Sequence, residues 1–234
     1  LEEHELVKEL IARLQDRIDA RSLLTHPFYQ AWQAGELSLE DLKDYASQYY
    51  FFEANFPRYL SAIHSNCADR EVRQSILDNL WDEEHGELNH RAMWLNFCAG
   101  VGLDPAEVEF TPVLPKTQAM LDVYDRLCNE GNFQEGLAAM YAYEAQVPQV
   151  ATEKSRGLKE HFGITDEATL QFFDVHGILD IEHSEREAKC IAGATTNDQE
   201  AGVEASLQTA LDALWGFLDG IIESRAAAKE SAPA

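Results

Sequence analysis

Apolar residues recur along this chain with the spacing of a helix and almost nowhere with the alternation of a strand. Leu6, Leu10, Leu14 and Ile18 form a stripe on a helix expected over about 5–20. A short segment from His26 to Trp32 stops at Gly35. Ser38, with Asp41 three residues on, has the form of a capping box. It opens an aromatic helix carrying Tyr45, Tyr49, Phe52 and Phe56, which Pro57 is expected to kink or break. Asp69 opens a helix expected to reach about residue 100. Further helices are expected over about 116–128, from 132 past 154 with Pro148 as an interruption, from Thr165 to Gly193, and over about 198–223. The pattern predicts an all-α bundle of seven or eight helices, one domain over 1–225, with a disordered tail at 226–234.

Charge narrows the partners. The net charge is −24 and the isoelectric point about 4.5. Nucleic acid and anionic membrane surfaces need a basic face, so neither is an expected partner. No apolar run approaches the ~20 residues of a spanning helix, and the first residues are charged and amphipathic, unlike a signal peptide. Cys67, Cys98, Cys128 and Cys190 are scattered without a CxxC pair. They fit reduced thiols in a cytoplasmic protein.

The candidate chemistry lies in two histidine–carboxylate patterns. His176, Asp180 and His183 stand at i, i+4 and i+7 in DVHGILDIEHSERE. At ~100° per residue, Asp180 and His183 fall within about 40° of His176, one file on one face. Two imidazoles and a carboxylate suit iron, manganese or zinc. Glu83 and His90 in WDEEHGELNH are i, i+7, two turns apart on the helix expected after Asp69, and so nearly eclipsed on one face. Glu84 lies about 100° round from it. Glu144 sits among Ala, Met and Tyr in AAMYAYEAQVP, where an unpaired carboxylate would be costly to bury. The expected ligand set is therefore Glu83, His90, Glu144, His176, Asp180 and His183. Its three carboxylates against two divalent ions leave one positive charge in excess, which predicts that one metal is held more weakly.

Together the motifs resemble the heme-oxygenase-like di-metal oxidases, and most closely their CADD-like subgroup, the self-sacrificing para-aminobenzoate synthases. The similarity is carried by HPFY at 26–29, NLWDEEHGELNH at 79–90, YAYEAQVP at 141–148 and FFDVHGILDIEHSERE at 172–187. The resemblance implies a heme-oxygenase-like fold related to PqqC and TenA proteins. It implies two metal ions, Fe/Fe or Mn/Fe, with O2 as co-substrate and an external reductant. It also implies that the enzyme's own tyrosine becomes the ring and carboxyl of para-aminobenzoate for folate synthesis, with a lysine as amino donor. The matching residues are Tyr29 and Lys154, with Tyr45 and Tyr143 placed to relay an electron or proton. Read without the family, Tyr29 is a core aromatic, and Lys154 is a surface lysine about 80° off the face of Glu144 unless Pro148 kinks the helix. Other functions compatible with the fold are oxidation of an external small molecule such as a fatty acid or amino acid, a cofactorless PqqC-like oxidase, and a non-enzymatic interaction module. A homodimer is compatible with the family.

Overall fold

Helices in this chain start where a side chain or a proline deals with the free N–H groups of the first turn. The computed structural model describes the backbone of residues 2–231 and the side chains of 9–227, so Leu6 of the first stripe and residues 232–234 lie outside the described side chains. In order, the elements are α1 (Glu2–Ala20), a 3₁₀ turn (Leu23–Thr25), α2 (Pro27–Ala34), α3 (Leu39–Asn66), α4 (Arg70–Glu84) and α5 (His90–Gly100). There follow α6 (Pro105–Val108), α7 (Pro115–Asn129), α8 (Phe133–Glu144), α9 (Val147–Phe162), α10 (Glu167–Ala194) and α11 (Glu200–Ser231). There is no strand among the described residues.

Among the described residues the count exceeds the expected seven or eight: ten helices longer than one turn, plus the single turn α6. Two of the expected helices are each divided. The stretch after Asp69 breaks at 85–89, where Gly86 has φ 89° and Asn89 caps α5 by accepting from Ala92 N at 3.0 Å. The stretch after Asn132 breaks between α8 and α9, and Pro148 sits in the first turn of α9, where its missing N–H costs nothing. Pro57, by contrast, does not break α3, which runs on to Asn66. Asp166, and not Thr165, caps α10, accepting from Thr169 N at 3.0 Å. Gly193 stays inside that helix, which closes at Thr195. Helix α11 continues past residue 225 as far as Ser231.

The Ser38–Asp41 capping box is present in both directions. Gly35 ends α2 in the left-handed region at φ 69°, and a Cβ there would meet the His161 ring at 2.6 Å. Helices α10 and α3 form the spine: α10 packs on α9, α5 and α8, and α3 packs on α7, α4 and α5, while α11 covers α7 and α8. Between them lies an aromatic core of Phe28, Tyr45, Phe52, Trp94, Phe172 and Phe173, all nearly fully buried. Trp94 Nε1 donates to Ala46 O at 2.9 Å, tying α5 to α3. The polar faces of α3, α4, α5, α8 and α10 meet beside this core.

Candidate metal centre

All six expected ligands are buried: Glu83, His90, Glu144, His176, Asp180 and His183. Glu83 is in the last turn of α4 and His90 opens α5, so they are joined across a loop and not along one helix face. The pair still meets, His90 Nδ1 lying 2.8 Å from Glu83 Oε2. Glu84 is exposed. The α10 file is as expected, and its first histidine stands against His90 with ring centroids 4.3 Å apart. Glu144, the last residue of α8, accepts from Asn79 Nδ2 at 2.9 Å.

Two imidazoles are fixed in one orientation by the atom behind them. His176 Nδ1 lies 2.6 Å from Phe172 O. A carbonyl only accepts, so Nδ1 carries the proton and Nε2 is left with its lone pair. His183 Nε2 lies 3.1 Å from Asp82 Oδ2, which leaves Nδ1 directed inward, 3.5 Å from Asp180 Oδ1. Asp82 is this positioning carboxylate, and nothing in the sequence distinguishes it from its acidic neighbours.

Two further carboxylates enter the site. Glu53 on α3 is buried, and its carboxylate lies with donor atoms of His90 and His176 in a group spanning no more than 4.8 Å. Glu187 is buried on α10, one turn beyond His183. A signal for Glu53 was present: it is the single charged residue between Asp44 and Arg58, set among Tyr, Phe and Ala as Glu144 is. With both included the site holds the carboxylates of Glu53, Glu83, Glu144, Asp180 and Glu187. The expected excess of positive charge, and the weakly held metal drawn from it, therefore lose their basis.

The electrostatics describe a site short of positive charge. Burial, then Glu83, pushes the Glu53 carboxyl well above its ordinary range. Burial, then Asp180, pushes Glu144 up to about 8. Burial, then Glu144, pushes Glu187 well up as well. Burial would lower His90 and His183, but Glu83 beside the first and Asp180 beside the second raise each to about 9. Burial lowers His176. Glu144 Oε2, Asp180 Oδ2 and both oxygens of Glu187 are buried without a hydrogen-bond partner. Buried polar atoms are almost always satisfied. Orphaned carboxylate oxygens beside inward-facing imidazole nitrogens fit a donor set for hard to borderline divalent cations.

A second cluster adjoins the first. Lys154 Nζ is buried and donates to Tyr45 Oη at 2.6 Å, and Tyr45 Oη lies 3.2 Å from Tyr29 Oη. Nζ is 5.6 Å from the Tyr29 ring centroid and 5.0 Å from those of Tyr45 and Tyr49. Tyr49 and Tyr143 are hydrogen-bonded to each other. No ion pair to Lys154 occurs among the described residues, and burial lowers its pKa from 10.5 to about 7. The surface position read from an unbroken helix is thus corrected, because the α8–α9 break turns Lys154 inward. Tyr29, Tyr45, Tyr143 and Lys154 line one cavity of about 20 Å³, room for little more than a water.

Known proteins place this arrangement among relatives. The model of a family described as iron-containing redox enzymes matches residues 43–215. A 4-aminobenzoate synthase of Nitrosomonas europaea is 42% identical over 217 residues, 88% of each chain. A 4-aminobenzoate synthase of Chlamydia muridarum is 38% identical over 227 residues, 95% of this chain and 96% of that one. The crystal structure of a CADD-like protein of unknown function from Nostoc punctiforme shares the fold, with a TM-score of 0.79 at 18% identity over 94% of this chain and 98% of that one.

Proposed function

The chain belongs to the family of iron-containing redox enzymes with the heme-oxygenase-like fold, and on that premise we propose that it makes 4-aminobenzoate from its own Tyr29 with Lys154 as nitrogen donor. The side chain of tyrosine and the product have the same carbon skeleton, a benzene ring with one carbon para to a heteroatom. The Cα–Cβ bond of Tyr29 breaks and Cβ is oxidised to the carboxyl. The ring C–O bond breaks with its oxygen leaving as water, and the ring takes the Lys154 nitrogen, whose bond to Cε breaks with Cε taking up a hydroxyl from water, an exchange without net redox change. Conversion of Cβ to the carboxyl, with Cα left as a glycyl CH2, is a four-electron oxidation that one O2 supplies, and an external reductant would prime the metals for O2. Two ions, Fe/Fe or Mn/Fe, held by Glu53, Glu83, His90 and His176 and by Glu144, Asp180 and His183, supply the activation of O2 when bound.

The chain's own groups do the rest. Tyr45 accepts from Lys154 and holds Tyr29, so donor nitrogen and acceptor ring are kept in one hydrogen-bonded row. Burial brings the Lys154 pKa down to about 7, so that near neutral pH about half of it is the free amine that an amine donor needs. The surrounding Phe172, Phe173, Phe217 and Leu218 exclude water. One observation carries the reading: a buried lysine without a carboxylate partner, beside a buried tyrosine, in a cavity too small for a second aromatic ring. The last point argues against an external substrate of that size.

The test uses protein made with isotopically labelled tyrosine and lysine, given iron, manganese, reductant and O2. The expected product carries the tyrosine label in its ring and the lysine label in its nitrogen, at no more than one per chain. Product free of both labels would refute the proposal.

A further inference from the structure

Glu187 extends the α10 file to i+11, which on an ideal helix lies within about 20° of His176. It is 5% exposed, and neither carboxylate oxygen has a hydrogen-bond partner. With Ser75, Asn79, His183 and Cys190 it lines a narrow space between α4 and α10. Arg186 borders that space but is engaged elsewhere, donating to Glu182 at 2.5 Å and lying 4.0 Å from Asp78. No Lys or Arg forms an ion pair with Glu187 among the described residues. The neighbouring charges are those of Glu144 and Asp180, each with one oxygen likewise unpaired. His183 adds a buried Nδ1 without a hydrogen-bond partner.

An uncompensated buried carboxylate is strongly destabilising. Asp180 faces His183 and Glu144 accepts from Asn79, but Glu187 has neither a cation nor an N–H donor among the described residues. We infer that Glu187 is a metal ligand, completing with Glu144, Asp180 and His183 a three-carboxylate, one-imidazole site for a divalent first-row cation. The inference rests on the di-metal reading above. It makes this half richer in oxygen donors than the half built on Glu53, Glu83, His90 and His176.

Mn(II) binding to the full chain, followed by the electron paramagnetic resonance signal of the free ion, tests it without reference to turnover. The wild type is expected to bind two ions. Glu187→Gln, nearly the same shape without the charge, is expected to weaken one site at least tenfold and leave the other unchanged. Glu187→Asp, which keeps the charge on a shorter stem, should fall between. Two ions held by Glu187→Gln with wild-type affinity would overturn the role of Glu187 and leave the di-metal reading standing. A wild type that binds no Mn(II) would overturn both. Anomalous scattering from Mn(II)-loaded wild-type crystals is independent of the variants' folding: an ion within ~2.2 Å of a Glu187 oxygen is expected, and an ion bound by the other three residues alone contradicts the inference.

Discussion

Lys154 shows how far a single residue's environment can depart from its sequence context. Its pKa falls from 10.5 to about 7 because burial penalises the ammonium form. Between those values the unfolded chain holds the proton and the native chain does not, so stability rises with pH across that window. Lys154→Met should therefore raise the melting temperature at pH 7, by the equivalent of roughly 3–5 kcal/mol at most, and the gain should shrink as pH approaches 10.5. A gain independent of pH would contradict this origin. Product yield per chain should rise as pH passes through about 7 and level off above it, as measured by product release from single-turnover reactions. A yield still climbing toward pH 10 would mean an unshifted lysine. Neither Lys154 nor Tyr29 was legible from residue pattern, because a lysine among Thr, Glu, Ser and Arg reads as solvated. Only the family motifs singled the two out. His176, Asp180 and His183 were legible, because one helix fixes their spacing.

At the level of the helix, the starts were more legible than the breaks. Ser38, Asp69 and Asn132 cap helices as their sequence signals predict, since capping is a local interaction. Ser38→Ala should cost ~1 kcal/mol, seen as a lower urea midpoint. The interruptions at 85–89 and 145–146 carry no proline, and His85–Gly86 is a weak stop beside the acidic residues that surround it. They matter because each redirects a site residue: the first lets His90 turn back onto Glu83, and the second brings Lys154 inside. Close contact between α9 and α2 also has a sequence cause. A Cβ on Gly157 would meet Trp32 Nε1 at 2.5 Å. Gly157→Ala should destabilise by ~1–3 kcal/mol through overpacking, despite the better helix propensity of alanine, and an unchanged melting temperature would show that Trp32 can move aside.

Taken as a whole, the molecule is an acidic bundle whose interior collects more carboxylates than the chain can neutralise. Glu53 carries in sequence the signal that Glu144 does, a lone acid among aromatic residues, and Glu187 is in register with His176, but the groups these acids meet are brought to them only by the fold. The shortage of counter-charge predicts that metal stabilises the fold: at ~100 times its dissociation constant each bound ion should add about 2.7 kcal/mol, read as a rise in melting temperature that a chelator reverses. Glu53→Gln should lose part of that rise while remaining folded without metal. A chelator without effect on the wild type would mean that the acids are held by protons alone. The described helices contain none long and apolar enough to cross a membrane. Consumption of Tyr29 in the proposed reaction is tested most directly by peptide mass spectrometry after one aerobic turnover with iron, manganese and reductant. The peptide carrying Tyr29 is expected to lose the mass of that side chain in proportion to the 4-aminobenzoate released, and an intact Tyr29 peptide alongside newly formed product would contradict its consumption.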